Sequence, residues 1–150
     1  SILKQSEQKQ SKNSQGTVIV QMYIDRPLLY NERKFDIRHF VLVTNLYGVM
    51  RAYWYEEGYI RTSSYPFNIH NFDPEIHLTN DSIQKKYIDY GRYEPSNKIS
   101  YSEFQNYLSC LPDKKLDFKK DMLPLMKDIA KDCITSVFTK LSPKNQMNNF

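Results

Sequence analysis

At 150 residues, 40% of them hydrophobic, the chain is long enough to close one core and reads as one domain. No apolar run approaches the ~20 residues of a membrane span, no charged-then-apolar leader marks a signal peptide, and only Gly16, Gly48, Gly58 and Gly91 are available for a P-loop or Rossmann phosphate cradle, which they cannot build. The net charge of +4 is spread along the chain and favours acidic partners without naming one, while Cys110 and Cys133 offer neither a disulfide framework nor zinc spacing and fit a reducing compartment.

Residues 1–16 are almost wholly polar and read as a linker or an exposed helix. Residues 17–23, with their β-branched side chains, predict a buried strand that Pro27 breaks. A second strand is expected over 34–46. Its alternation puts Lys34, Asp36 and Arg38 on one face and Phe35, Ile37, Val41 and Val43 on the other. Two cations around one carboxylate can grip a polyanion such as a triphosphate, with the carboxylate free to orient a donor or a metal. The same pattern equally describes a wet sheet face carrying ordinary ion pairs. His39 shares the parity of Phe35 and reads as a hydrogen-bonded core residue.

A turn over 45–48 leads to a third strand, 49–56, and Glu57-Gly58 turns into a short fourth, 59–62. Hairpin connectivity is the economical expectation, and it would bring Arg61 beside the charged face, where its fork suits a carboxylate. Residues 63–74 read as irregular. His70 and His77 flank Asp73 and Glu75, which invites a metal-site reading, but the intervening Pro and Asn residues favour loop chemistry. Asn80 reads as a turn residue or a helix cap. The rest turns helical, with a short segment over 82–87. Ser100 and Glu103 have capping-box spacing ahead of a helix whose apolar face is Phe104, Tyr107, Leu108 and Leu111. A final helix carries Met122, Leu125, Met126, Ile129, Ala130, Cys133 and Val137 along one face, with Cys133 taken as core. Twelve tyrosines and eight phenylalanines invite a nucleic-acid stacking reading, but most fall in these patterns and read as packing. Antiparallel strands followed by helices make the chain α+β, or one piece of a larger α/β fold.

Several motifs occur together in one order: Gln21-Met22-Tyr23-Ile24-Asp25-Arg26-Pro27-Leu28-Leu29; Lys34 to Arg38 with Val41-Leu42-Val43-Thr44; Glu57-Gly58-Tyr59-Ile60-Arg61; His77-Leu78-Thr79-Asn80; and Ser82-Ile83-Gln84-Lys85. In this they resemble the tubulin–tyrosine ligase-like family of ATP-grasp ligases, from about residue 17 to 107 and more loosely through the last helix. The resemblance implies that 17–150 is the central part of an ATP-grasp domain. It implies that Gln21, Met22, Tyr23 and Ile24 form the hinge against the adenine edge, and that Lys34 meets phosphate. Asp36 would lie at the junction of nucleotide and substrate, with His77, Leu78, Thr79 and Asn80 lining the nucleotide pocket. Arg38 and Arg61 would hold the anionic reactants, Arg61 the carboxylate of a free amino acid. Lys34, Asp36 and Arg38 would be the catalytic set.

The family's reaction phosphorylates a carboxylate on an acidic tubulin tail with ATP and Mg²⁺, and an amino-acid amine then displaces the phosphate. Such chemistry needs cations to offset repulsion between phosphate and carboxylate. The family's Gly-rich loop and its carboxylate and Asn metal cluster have no counterpart here, so the chain is expected to be a middle segment, inactive alone, with no metal ligand of its own. Ser82 to Tyr87 with Tyr90-Gly91-Arg92-Tyr93-Glu94 is nearest the tyrosine ligase and the glycylases, which favours tyrosine or glycine over glutamate. The implied setting is cytoplasmic, at microtubules or in the cilium, with neither nucleic acid nor a membrane as partner. From a different class, the same basic face would suit a non-catalytic module that binds acidic tubulin tails.

Overall fold

The structure is a computed structural model that describes residues 18–112 and 116–141. Among the described residues, five strands and four α-helices follow in order: β1 (Arg33–Arg38), β2 (Val41–Leu46), β3 (Val49–Trp54), β4 (Tyr59–Pro66), α1 (Pro74–His77), α2 (Asp81–Gln84), β5 (Lys98–Ser100), α3 (Tyr101–Ser109) and α4 (Leu123–Leu141). A π-helical turn, Phe118–Met122, leads into α4. The architecture is mixed α+β, antiparallel strands first and helices after.

β1, β4 and β5 form an antiparallel sheet in the order β1-β4-β5, while β2 and β3 make a separate hairpin. Opposed residues share a face. Ile37 faces Ile60 and Ile60 faces Ile99, so these side chains turn inward together. They meet Phe104 and Leu108 of α3 and Phe118, with Phe35, Tyr101 and Met122 packed around them. Phe104 and Phe118 cross edge to face at 5.7 Å, and Phe35 lies 4.8 Å from Phe104. Fully burying each such ring contributes ~1.5–3 kcal/mol. The expected capping box is present: Ser100 accepts from the Glu103 amide, and the Glu103 carboxylate accepts from the Ser100 amide at 2.7 Å.

Two tight turns set the registers. Asn31 and Glu32, both at positive φ (46° and 64°), reverse the chain into β1, and Tyr47 with Gly48 (50° and 78°) joins β2 to β3. Two consecutive left-handed residues match the right-handed twist of the flanking strands. Gly58 is needed for space: a Cβ there would collide with the Arg38 carbonyl and the Tyr101 hydroxyl.

Four expectations change. Residues 18–23 carry no regular structure and stay exposed, because no strand among the described residues pairs with them. The single strand over 34–46 is two, since the chain breaks at His39 and Phe40 and sends β2 into the hairpin, where His39 stacks on Trp54 at 3.5 Å. Simple hairpin succession therefore fails: β1 takes β4 as its neighbour and β2–β3 is inserted between them. β4 also runs on to Pro66, because Thr62, Ser63 and Ser64 are buried and hydrogen-bonded.

The last helix differs too. Cys133 is exposed, as are Leu125, Ile129 and Val137. Nothing among the described residues covers that face. The start of α4 joins the core through Leu123 and Met126, and Ala130 and Ile134 line a groove with Ala52 and Trp54 of the hairpin.

Candidate functional site

The outer face of the three-stranded sheet carries the charges. Asp36 on β1 lies opposite Arg61 on β4, and Arg61 lies opposite Lys98 on β5. Period-two alternation adds Lys34 and Arg38 to the same face. The β1–β4 pairing thus brings Arg61 beside Asp36, with Arg38 farther along the same face, while the register is irregular between Arg33 and Phe35, where Lys34 stands.

The carboxylate's partner is not its neighbours on β1. Arg61 grips Asp36 with both arms of a fork, Nε to Oδ1 and Nη2 to Oδ2, each at 2.8 Å. Thr79, buried, also donates its hydroxyl to Asp36 Oδ2. The bonds from Asp36 raise the pKa of Arg61 further, outweighing its partial burial. Asp36 is therefore neutralised across the strand pair rather than left free to orient a donor or a metal. Arg61 commits its Nε and Nη2 edge to the pair, which leaves Nη1 for any other acceptor. The fork is half open, with the two side chains 18% and 34% exposed.

Lys34 turns elsewhere. Its Nζ donates to the Tyr23 hydroxyl at 2.9 Å and lies 4.7 Å from the Tyr23 ring and 5.9 Å from that of Phe67. The Tyr23 hydroxyl also meets His77 Nδ1 at 2.6 Å, and His77 Nε2 meets the Asn71 carbonyl. Arg38 is exposed, with its guanidinium 5.5 Å from the Phe40 ring. Lys98 pairs with Asp81 at 2.8 Å, and that bond raises the lysine pKa.

Of the remaining expected residues, Gln21, Met22 and Ile24 stand in the exposed run, and only Tyr23 reaches the charged face. Leu78 is exposed and Asn80 is the N-cap of α2 without a side-chain bond, so the segment 77–80 touches the face through His77 and Thr79. Between His70 and His77 the chain is irregular as far as Asp73 and then helical in α1, not loop throughout. Asn68 and Asn71 side chains accept from the amides of His70 and Asp73, and both His77 nitrogens are engaged. Glu75 raises the Tyr87 pKa by a hydrogen bond.

Two supporting clusters escape sequence reasoning. Gln84 is fully buried; its Oε1 accepts from the Ser64 amide and hydroxyl, each at 2.8 Å, and its Nε2 donates to the carbonyls of Glu75 and Leu78. It thereby ties the 77–80 segment to β4. Arg33, 3% exposed, forks onto Glu94 and lies 4.4 Å over the Tyr93 ring. A charged residue in core parity was the one available signal for Arg33. Gln84 on a four-residue helix gave none. A cleft of about 520 Å³ at the β5 edge, lined by Arg33, Tyr93, Glu94 and Lys98, holds none of Lys34, Asp36, Arg38 or Arg61.

The tubulin-tyrosine ligase family model matches residues 1–149. The chain belongs to the tubulin-tyrosine ligase family. Among similar curated proteins, tubulin glycylase 3B of Drosophila melanogaster is 39% identical over 65% of this chain. Tubulin monoglycylase TTLL3 of Danio rerio is 39% identical over 61%, and tubulin glycylase 3E of Tetrahymena thermophila is 31% identical over 82%. The matched segment spans only 14%, 12% and 9% of those relatives' lengths.

Proposed function

We propose that the intact protein is an ATP-dependent ligase that adds an amino acid, glycine first among the candidates, to tubulin, and that this segment supplies the floor of its reaction site within an ATP-grasp domain. The observation that carries the reading is the outer sheet face, where the Arg61–Asp36–Thr79 fork stands between the cations Lys34 and Arg38. The glycylase names of the relatives favour glycine over tyrosine and glutamate. No helix among the described residues is long and apolar enough to cross a membrane.

In this reading ATP is a substrate that phosphorylates the acceptor carboxylate, and the amine of the incoming amino acid displaces phosphate to form the amide. The chain's own residues bind and screen. Lys34 meets phosphate oxygens, and Arg38 offsets the repulsion between phosphate and carboxylate, a preorganised stabilisation of developing charge. Asp36 holds the Arg61 fork in place. Arg61 then offers Nη1 to the amino acid's carboxylate, or exchanges Asp36 for it. Gln21 to Ile24 face the adenine, and Thr79 and Asn80 border the nucleotide. No group of three His, Cys, Asp or Glu converges among the described residues, and Asp36 is held by Arg61 and Thr79; magnesium brought in with ATP would be held mainly by phosphate oxygens and water, and would offset phosphate charge.

The test offers glycine, tyrosine and glutamate separately, with ATP and tubulin, to the intact protein and to its Lys34→Ala variant. ATP-dependent incorporation of glycine, abolished by Lys34→Ala, is the expected result. Tubulin binding with no incorporation of any of the three would overturn the reading in favour of a non-catalytic module for acidic tails.

A further inference from the structure

We propose that Tyr23 and His77 are positioning residues for Lys34, holding its ammonium at the charged face through a directed chain of hydrogen bonds. The proposal rests on the reading of Lys34 as a phosphate contact.

The direction of the chain follows from the end that cannot change. A backbone carbonyl only accepts, so the contact to the Asn71 oxygen requires the proton on His77 Nε2. In the neutral imidazole His77 Nδ1 is then the acceptor, and the Tyr23 hydroxyl donates to it at 2.6 Å. With its proton used in that direction, the Tyr23 oxygen presents lone pairs to Lys34 Nζ at 2.9 Å. The order is Lys34 to Tyr23 to His77 to Asn71, each group donating to the next. His77 is itself anchored: α1 ends at His77, and Gln84 binds the carbonyls of Glu75 and Leu78 on either side.

The chemistry of these partners is informative. A lysine is a point charge on a flexible stem and needs something to place it. A carboxylate would place Lys34 and also neutralise it. Among the described residues its ammonium pairs with no carboxylate; it meets a phenol and two aromatic rings. These partners hold the cation yet leave its charge for an anion. Tyr23 also belongs to the exposed run 21–24, assigned above to the adenine edge. One side chain therefore links the adenine side of the site to its phosphate side, so its loss should appear in nucleotide affinity.

The experiment titrates ATP and measures ligation kinetics on the intact protein. Tyr23→Phe keeps the ring over Lys34 and removes only the hydroxyl. It is expected to raise the KM and Kd for ATP roughly 3- to 10-fold, the effect of one lost hydrogen bond, with the amino-acid KM and the melting temperature unchanged. His77→Ala should do the same, and His77→Asn, whose amide oxygen can accept from Tyr23, should recover part of the loss. In a Lys34→Ala background, Tyr23→Phe should add nothing. Wild-type ATP affinity in Tyr23→Phe, or an undiminished effect of Tyr23→Phe without Lys34, would overturn the positioning role. If Lys34→Ala itself leaves ATP affinity and turnover intact, the reading of Lys34 fails and the proposal fails with it. Impaired Lys34→Ala beside an unimpaired Tyr23→Phe removes the proposal alone.

Discussion

Two arginine–carboxylate forks hang from β1, three residues apart, and they do different things. Arg33 turns to the core side, where Glu94, the Thr62 hydroxyl and the Ser63 carbonyl surround it and both partners of the ion pair are almost wholly buried. Asp36 turns outward and meets Arg61 at a face that water reaches. The donor and acceptor types are the same; burial separates the roles. Inside, Thr62 bonds both members of the pair and Ser63 accepts from the arginine, so the Arg33–Glu94 pair fixes residues 93–97 against the sheet. Outside, solvent has already weakened the attraction between Asp36 and Arg61, and under the proposed function a substrate carboxylate would compete for the guanidinium.

The comparison is broken most directly from its buried side. Glu94→Ala leaves Arg33 charged and buried, and should cost about 3–5 kcal/mol, read as a lower denaturant midpoint at unchanged slope. A cost below about 1 kcal/mol would make the two forks alike. Asp36→Asn should cost about 1 kcal/mol or less in stability while ligation by the intact protein falls steeply; a large stability loss would move this fork to the structural side. Glu32 sits in the turn that delivers Arg33 to its place, at a positive φ of 64°. Glu32→Gly should therefore stabilise by about 0.5–1 kcal/mol, measurable as a small rise in melting temperature.

A pH effect is smaller and has a definite sign. Burial first, and then Lys127, push the His39 pKa below its ordinary 6.5. The folded state thus binds the proton less readily than the unfolded chain. The stability from neutral His39, stacked on Trp54, is fully present above about pH 6.5 and is lost as pH falls through its folded value. Urea midpoints between pH 5 and 8 should fall on the acid side in the wild type and flatten in His39→Phe.

Much of the face was legible in the sequence, because alternation alone assigns Lys34, Asp36 and Arg38 to one side and Phe35 and Ile37 to the other. The capping box and the Phe104/Leu108 face were legible for the same local reason. What alternation cannot supply is the partner strand. Hairpin connectivity brings Arg61 to this face as an expectation, but nothing within five residues of Asp36 announces the register in which β4, 25 residues on, places Arg61 opposite it and makes Asp36 the carboxylate it holds. The run 18–23 and the Cys133 face misled for the converse reason. Both have the composition of buried elements, and burial depends on a surface that the described residues do not provide. Gln84 and Glu94 stand in stretches that carry the resemblance, but their burial and partners were not legible because a buried polar side chain has no periodic signature.

The most direct test of the central claim, that the outer fork belongs to a reaction site, is the kcat/KM for glycine incorporation into tubulin by the intact protein with Arg61→Ala. Removing one partner of a charge pair from a substrate contact should lower it at least about 30-fold, with the fold retained by circular dichroism. A variant that is equally folded and adds glycine at the wild-type rate would contradict the account.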